Sequence, residues 1–254
     1  MVKEVTQLAF RDDDEKTLIL ALRHKMITAE VIQRAVYDAQ NQKTRLAVEA
    51  QMKRLKGPYL EAEPLIWKRR YYHPTALTAR LFGAPEEAAE PLGPQALPKE
   101  YALLNHCCMR SVPLVRLTRQ RLKELFTDWE LFLPKKTGFY SDFVQAMIGN
   151  RGWISRVQVD RGGDYLRFLS TCRDVLSHCR ASVSIRELIE EECFRFTILT
   201  GDERKKDSLQ AALDVRPLGV PTHIFVVPGL LDLIGQNLAG KEEPHAVQSS
   251  GGAV

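Results

Sequence analysis

Two strand-like runs joined by a short turn most constrain what this chain can fold into. They are Phe139–Val144 and Trp153–Asp160, and Asn150–Gly152 turns the chain between them. Each run carries one acid, Asp142 in the first and Asp160 in the second. The pattern predicts a β-hairpin with a carboxylate on each strand.

The second run places its polar residues on one face. Gln158 and Asp160 are two residues apart, so their side chains share a face while Val157 and Val159 point the other way. Acids that project from neighbouring strands are how nuclease folds of the restriction-endonuclease kind hold a divalent metal. Such chemistry favours a nearby lysine, but the residue that follows Asp160 is Arg161. An arginine cannot replace the lysine in proton transfer, because it does not give up its proton.

The composition is that of an ordinary globular protein. The chain has 254 residues, 44% hydrophobic and 27% charged, which suffices for one large domain or two small ones. No apolar run approaches the roughly 20 residues that cross a bilayer, and the N-terminus has no signal-peptide profile. The five cysteines fit no disulfide or zinc spacing and are predicted to be buried reduced thiols. We therefore expect a cytoplasmic protein without a membrane partner.

Positive charge is concentrated in one segment. Between Asn41 and Phe82 nine basic residues face three acidic ones, a surplus of six, although the whole chain carries a net charge of only +4. Such a basic stripe predicts contact with double-stranded DNA, and a solvated basic face without a partner is the alternative. The cations expected to contact DNA are Lys43, Arg45, Lys53, Arg54, Lys56, Lys68, Arg69 and Arg70.

The first 82 residues have the pattern of three helices followed by a basic hairpin. Acids at Asp12–Glu15 suit a helix N-terminus, Thr28 can cap a second helix, and Gly57-Pro58 stops a third. The predicted helices are Asp14–His24, Ala29–Tyr37 and Thr44–Lys56, and the predicted strands are Tyr59–Glu61 and Ile66–Tyr72. Three helices closed by a hairpin make a winged helix-turn-helix, whose third helix lies in the DNA major groove while the wing touches the backbone.

Composition divides the chain into four parts. Residues 1–82 are the predicted DNA-binding domain, and residues 83–98, which contain four prolines, are a predicted semi-extended linker. Residues 99–239 form a predicted second domain. Residues 240–254 are rich in glycine and serine and are expected to be disordered.

The second domain alternates strand and helix patterns, which predicts a mixed α/β sheet. Besides the hairpin, the predicted strands are Val112–Leu117, Trp129–Leu133, Phe194–Thr200 and Thr222–Val227. The predicted helices are Pro98–Met109, Thr118–Phe126, Asp164–Cys179, Ile185–Glu192, Asp202–Leu213 and Leu230–Asn237.

Four short motifs carry a resemblance to a known family. They are Tyr140–Asp142, Val157–Gly162 at the position of a Glu-x-Asp-Arg-Gly stretch, Phe196–Arg204, and His223–Val227. In these motifs the chain resembles the replication-relaxation and MobC-type plasmid mobilisation proteins, which join a winged helix to a restriction-endonuclease-like domain. The resemblance implies recognition of a plasmid or integrative-element origin, nicking or melting of that DNA, and other mobilisation or replication proteins as partners.

The resemblance also implies a site for catalysis. The candidate catalytic residues are Asp142, Gln158, Asp160 and Asp164, and Asp142 with Asp160 would hold Mg²⁺ together with water and a DNA phosphate. Gln158 stands where the family has a glutamate, and a neutral amide is a weak ligand, so Asp164 is the candidate replacement. The structural alternative is that Asp142 caps a turn and Asp160 pairs with Arg161.

Three functions remain open at this level. The first is a DNA-binding protein of a mobile genetic element that acts at a transfer or replication origin, with a degenerate nuclease domain. The second is a metal-dependent DNA-nicking relaxase. The third is a transcriptional regulator whose second domain binds a partner or effector.

Overall fold

The computed structural model describes residues 10–37, 42–112, 114–133, 140–148 and 151–239. Within these ranges the chain is a mixed α/β protein with ten α-helices, a five-stranded sheet and a two-stranded sheet. The helices are α1 Asp12–His24, α2 Ala29–Ala35, α3 Gln42–Leu55, α4 Ala76–Leu81, α5 Leu97–Cys108, α6 Arg119–Leu125, α7 Tyr165–Ala181, α8 Val183–Glu190, α9 Glu203–Val215 and α10 Leu230–Ala239. The strands are β1 Leu60–Pro64, β2 Arg70–Pro74, β3 Val115–Thr118, β4 Tyr140–Ile148, β5 Arg151–Val159, β6 Phe194–Thr200 and β7 Thr222–Val226. The predicted tail and the predicted turn residue Asn150 lie outside the described residues.

Helix caps and turn residues explain the structure of the N-terminal unit, which consists of helices α1 to α3 and strands β1 and β2. Four acids open α1, and the chain leaves it through Lys25 in the left-handed conformation. The hydroxyl of Thr28 then accepts a hydrogen bond from the Val31 amide at the start of α2. Strands β1 and β2 pair antiparallel, and Ile27 adds a short bridge to Tyr72 in β2. Three helices and a hairpin are therefore joined by backbone hydrogen bonds.

The larger sheet has the strand order β3-β4-β5-β6-β7. Strand β4 pairs antiparallel with both β3 and β5, whereas β5, β6 and β7 run parallel. The predicted hairpin is confirmed, with Phe143 opposite Arg156. The predicted mixed sheet is confirmed as well, because helices α7 and α9 make the crossovers that parallel strands need.

Two hydrophobic cores cover the two faces of this sheet. Val157 and Val159 pack into one core with α5, α10 and the helices of the N-terminal unit. Phe196 and Ile154 pack into the other with α6, α7, α8 and α9. The described residues between Phe10 and Phe82 therefore share a continuous core with the sheet. No helix in the described ranges is both long and apolar enough to span a bilayer.

The segment between the two parts also has structure. Residues Glu86–Ala88 form a 3-10 turn, and Ala88 is buried against Leu22 and Ala79. The division of the chain into domains stays a prediction. The five cysteines are free thiols, and burial encloses all of them except Cys193, which is half-buried.

Three secondary-structure predictions are corrected. The run Trp129–Leu133 is not a strand, because Trp129–Leu131 forms a 3-10 turn whose tryptophan ring lies beside Arg119 and Lys123. The second strand of the small hairpin begins only at Arg70, since Leu65 and Arg69 close a turn around Trp67. Helix α4 was not predicted, although Thr75 caps it.

Candidate functional site

The candidate acids lie along one edge of the larger sheet. Strands β3, β5, β6 and β7 end at this edge and β4 begins there, because β4 runs opposite to its neighbours. Thr118 pairs with Tyr140 at one end of the edge, and Thr200 pairs with Val226 at the other. We call this row of strand ends the common edge. Crevices at the carboxyl ends of parallel strands are frequent binding sites.

Asp160 follows β5 at the common edge and is almost completely buried. Its Oδ1 accepts a hydrogen bond from the Gly162 amide at 3.0 Å, and its Oδ2 accepts one from the Thr200 hydroxyl at 3.3 Å. The Nζ atom of Lys205 lies 3.1 Å from the same Oδ2. The predicted partner Arg161 instead reaches the carbonyl of Gln95 at 3.5 Å. Asp160 is thus paired with a lysine from a distant element.

The strand-to-helix turn after β6 delivers this lysine. The side chain of Asp202 accepts a hydrogen bond from the Lys205 amide at 2.8 Å and so caps α9. Lys205 therefore sits in the first turn, and its Nζ also donates to the Gly163 carbonyl at 2.6 Å. Sequence reasoning missed this residue. The signal was an N-cap aspartate after a buried strand, with a lysine three positions later.

Asp142 belongs to a second, separate ion cluster. Its carboxylate lies 2.6 Å from Lys99 Nζ, 3.0 Å from an Arg156 guanidinium nitrogen and 3.9 Å from one of Arg116. Buried Arg116 also pairs with Glu100 through both guanidinium ends. Burial alone would raise the pKa of Asp142, but Arg156, Lys99 and Arg116 outweigh it and lower the pKa to about 2. Asp142 is therefore held ionised.

The structure does not gather the four predicted catalytic residues. The β4–β5 register places Asp142 level with Val157, three residues before Asp160, or roughly 10 Å along the strand. Asp164 caps α7 by accepting a hydrogen bond from the Arg167 amide at 2.9 Å. Gln158 is half-buried beside Ile198.

The fit to Mg²⁺ follows from these positions. Within the described ranges, no three carboxylate, histidine or cysteine side chains converge as metal ligands. Asp142 and Asp160 each already face a lysine, and the strand register separates the two acids by roughly 10 Å. These residues as placed therefore do not fit the shared Mg²⁺ site that the resemblance implies.

The predicted DNA-contacting cations form an exposed surface on α3 and the small hairpin. Seven of the eight are exposed and form no ion pair with a buried carboxylate among the described residues, and we call them the basic surface: Lys43, Arg45, Lys53, Lys56, Lys68, Arg69 and Arg70. Arg45 meets Glu49 at 3.2 Å and Arg69 meets Glu30 at 3.8 Å, both between exposed side chains. Trp67 is 82% exposed at the turn of the hairpin.

Arg54 differs from the other predicted cations. It donates to Asp14 of α1 at 2.9 Å, and the Asp14 side chain is only 9% exposed. Gln51 on the same helix donates to Thr17 at 3.0 Å and accepts from the Tyr37 hydroxyl at 3.2 Å. These contacts fix the rotation of α3, so that its other cations face water.

The basic surface adjoins the common edge. A cavity of about 650 Å³ separates the hairpin residues Trp67, Lys68 and Arg69 from Pro228 and Asp232 after β7. A Cβ atom on Gly229 would lie 3.3 Å from the Ile66 side chain, so the hairpin turn packs closely against the end of β7. A ligand on the hairpin would therefore also lie near the ends of the parallel strands.

The fold and site define a mixed α/β protein with an exposed basic surface and two ion-paired acids, of which Asp160 is buried and Asp142 is half-buried. Comparisons with family models, with curated proteins and with solved structures find no match. What the protein does must follow from the chemistry of these residues.

Proposed function

We propose that the protein binds double-stranded DNA at a transfer or replication origin of a mobile genetic element. In this proposal the first 82 residues act as a winged helix-turn-helix. Residues 99–239 act as a restriction-endonuclease-like domain whose nuclease site is degenerate. Other mobilisation or replication proteins are its expected partners.

The basic surface carries the proposal. The third helix of the unit turns Val48, Met52 and Leu55 inward, while Lys53 and Lys56 face water. The hairpin adds further cations around an exposed tryptophan. This is the charge distribution that a recognition helix and a wing need, since phosphate contacts supply most of the affinity for DNA. The bridge between Ile27 and Tyr72 supports it, because it joins the first two helices to the hairpin.

The ion-paired acids support a degenerate nuclease domain. A metal-dependent nuclease needs carboxylate oxygens that converge on one ion. Here Asp142 and Asp160 each meet a cation within 3.1 Å and stand on separate parts of the edge. The domain then serves to position DNA and partners beside the hairpin.

Charge removal on the basic surface tests DNA binding. The variant is Lys53→Gln/Lys68→Gln, which leaves the structural Arg54 in place. The control is Arg121→Gln/Lys206→Gln, which removes two exposed cations on α6 and α9. Fluorescence anisotropy with a 30-bp duplex, measured between about 50 and 200 mM salt, gives the salt slope of log affinity. We expect the slope to fall by about 2 in the variant only. Equal affinity and slope in variant and wild type would contradict the winged-helix proposal.

Nicking is a second candidate because Lys205 brings an amine to 3.1 Å from Asp160. Supercoiled DNA of the element that carries the gene is incubated with Mg²⁺ and the wild-type protein or Asp160→Asn. If the wild-type protein converts the DNA to the open-circular form and Asp160→Asn does not, the domain is an active nuclease. Protection of only the protein's own promoter in a footprint would instead favour a transcriptional regulator.

A further inference from the structure

A second cationic feature lies away from the basic surface, between the N-terminal unit and the start of the larger sheet. It is a cavity of about 640 Å³. Its wall includes Lys25, Lys99, Arg116, Arg119, Lys123 and Tyr140. We call these six residues and the space between them the cationic cleft. No residue of the small β1–β2 hairpin lines this cleft. The predicted DNA-contacting residues therefore do not account for the positive charge of the cleft.

The charge in the cleft is unbalanced. Five of its lining side chains are cationic, whereas only Glu87 and Glu100 are acidic. Glu100 is bound to buried Arg116, and Lys99 is bound to Asp142. Lys25 and Lys123 meet no carboxylate within salt-bridge distance in the described part of the chain. The cleft therefore attracts an anion.

The wall of the cleft is held in place before any ligand arrives. Arg116 is fixed by Glu100 and by the Ser141 carbonyl, to which its Nε donates at 2.8 Å. Arg119 and Lys123 lie 5.0 Å and 4.5 Å from the centre of the Trp129 ring. Such cation–π contacts restrict the motion of both side chains. Little ordering is then needed when a ligand binds, which favours affinity.

We propose that the cationic cleft binds a phosphate-bearing ligand of nucleotide size. A volume of about 640 Å³ lies within the range of small-molecule sites. Lysine and arginine side chains are the usual partners of phosphate oxygens. Tyr140 adds an aromatic ring at the wall, and the guanidinium carbon of Arg116 lies 5.6 Å from the centre of that ring. A free nucleotide and a DNA strand both supply such phosphates.

Calorimetric titration of the full chain tests this proposal with two probes, tripolyphosphate and the tetranucleotide (dT)₄. The variant is Lys25→Asn/Lys123→Gln. Asparagine is chosen because Lys25 has a φ of 58° and asparagine tolerates that conformation. Arg121→Gln removes an exposed cation from the same helix as Lys123 but outside the cleft. Lys53→Gln/Lys68→Gln separates the cleft from the basic surface.

We expect the cleft variant to weaken probe binding by about tenfold for each cation removed, while both controls bind like the wild type. Binding of tripolyphosphate alone identifies a free phosphate compound as the ligand, and binding of (dT)₄ alone identifies a DNA strand. The exposed single variant Lys123→Gln repeats the test if the double variant melts early. The proposal is overturned if neither probe binds, if the cleft variant binds unchanged, or if Arg121→Gln loses as much. Because the basic surface is intact in the cleft variant, this failure is separate from failure of duplex binding.

Discussion

The basic surface and the common edge are both rich in charge, but they hold it in opposite ways. On the basic surface, cations such as Lys53 and Lys68 are exposed, and the nearby ion pairs involve exposed partners. At the common edge, Asp160 is buried, Asp142 is half-buried, and both acids meet cations within 3.1 Å. Exposed charge is available to a partner, whereas buried charge is committed to the fold. Charged side chains are therefore available for binding on the basic surface, whereas at the common edge they stabilise the fold.

The largest expected effect comes from breaking the Asp142 cluster. Asp142→Ala leaves Lys99, Arg116 and Arg156 close together without their shared anion, and this should lower the free energy of unfolding by about 3–5 kcal/mol. Urea unfolding followed by circular dichroism measures the change. Asp214→Ala, at an exposed position on α9, is the matched control and should cost under about 0.5 kcal/mol. A loss of stability below about 1 kcal/mol in Asp142→Ala would show that Asp142 contributes no more than an exposed ion pair does.

Removal of the lysine at the other acid comes next. Lys205→Met keeps the length of the side chain but leaves Asp160 with only the Thr200 hydroxyl and the Gly162 amide. We expect a loss of about 2 kcal/mol, less than at Asp142, because Lys205 is the only cation on this acid in the described ranges. Lys206→Met, one residue along and paired with exposed Glu203, should be nearly neutral. If Lys205→Met and Lys206→Met lowered the free energy of unfolding equally, the ion pair at the common edge would be no more stabilising than an exposed one.

Acid should act on the buried groups while the basic surface keeps its charge. Burial, with help from Arg116 and Arg23, holds the pKa of His24 well below 6.5, and burial beside Arg110 lowers the pKa of His106 to about 3. Below pH 6.5 the unfolded chain therefore binds protons that the fold does not, so stability falls by about 1.4 kcal/mol per pH unit for each histidine.

Urea unfolding between pH 7 and 5 checks this dependence. His106→Leu should make the slope shallower by about one proton, because the folded chain lowers the pKa of His106 to about 3. The same slope in wild type and His106→Leu would show that this histidine is protonated in the folded state.

The smallest effect distinguishes two neighbours on α3. Arg54→Gln removes the hydrogen bond to Asp14 and should cost about 1 kcal/mol, since the arginine side chain is 36% exposed. Lys53→Gln should change stability by under about 0.5 kcal/mol yet weaken DNA binding. Unfolding and anisotropy on the same two variants measure both quantities. If Arg54→Gln weakened DNA binding without lowering stability, Arg54 would belong to the basic surface.

Local patterns predicted much of this fold. The alternation of Val157, Gln158 and Val159 predicted that the two valines share one core-facing side of β5, and Thr28 and Thr118 predicted helix starts that their side chains do cap. The run at Trp129 misled, because an apolar pattern of five residues does not show whether a neighbouring strand is there to pair with it.

The site was less accessible to sequence reasoning. The sequence singled out Asp160 and Asp142 as candidate metal ligands, but their ion-pair partners Lys205 and Lys99 lie more than forty residues away in the chain. No local pattern shows which distant cation a buried acid will meet. The surplus of cations on α3 and the hairpin was visible, whereas the structural role of Arg54 was not.

The core shared by the N-terminal unit and the sheet has a consequence for how such proteins diversify. Met26 and Leu55 pack in the same apolar cluster as Val159 and Leu233. A recombination event that joined a foreign N-terminal unit within residues 83–98 would have to match this buried surface, as well as the close approach of Ile66 to Gly229. Under the proposed function, a new DNA specificity is therefore reached more easily by exchanging exposed side chains on α3 than by exchanging the whole unit.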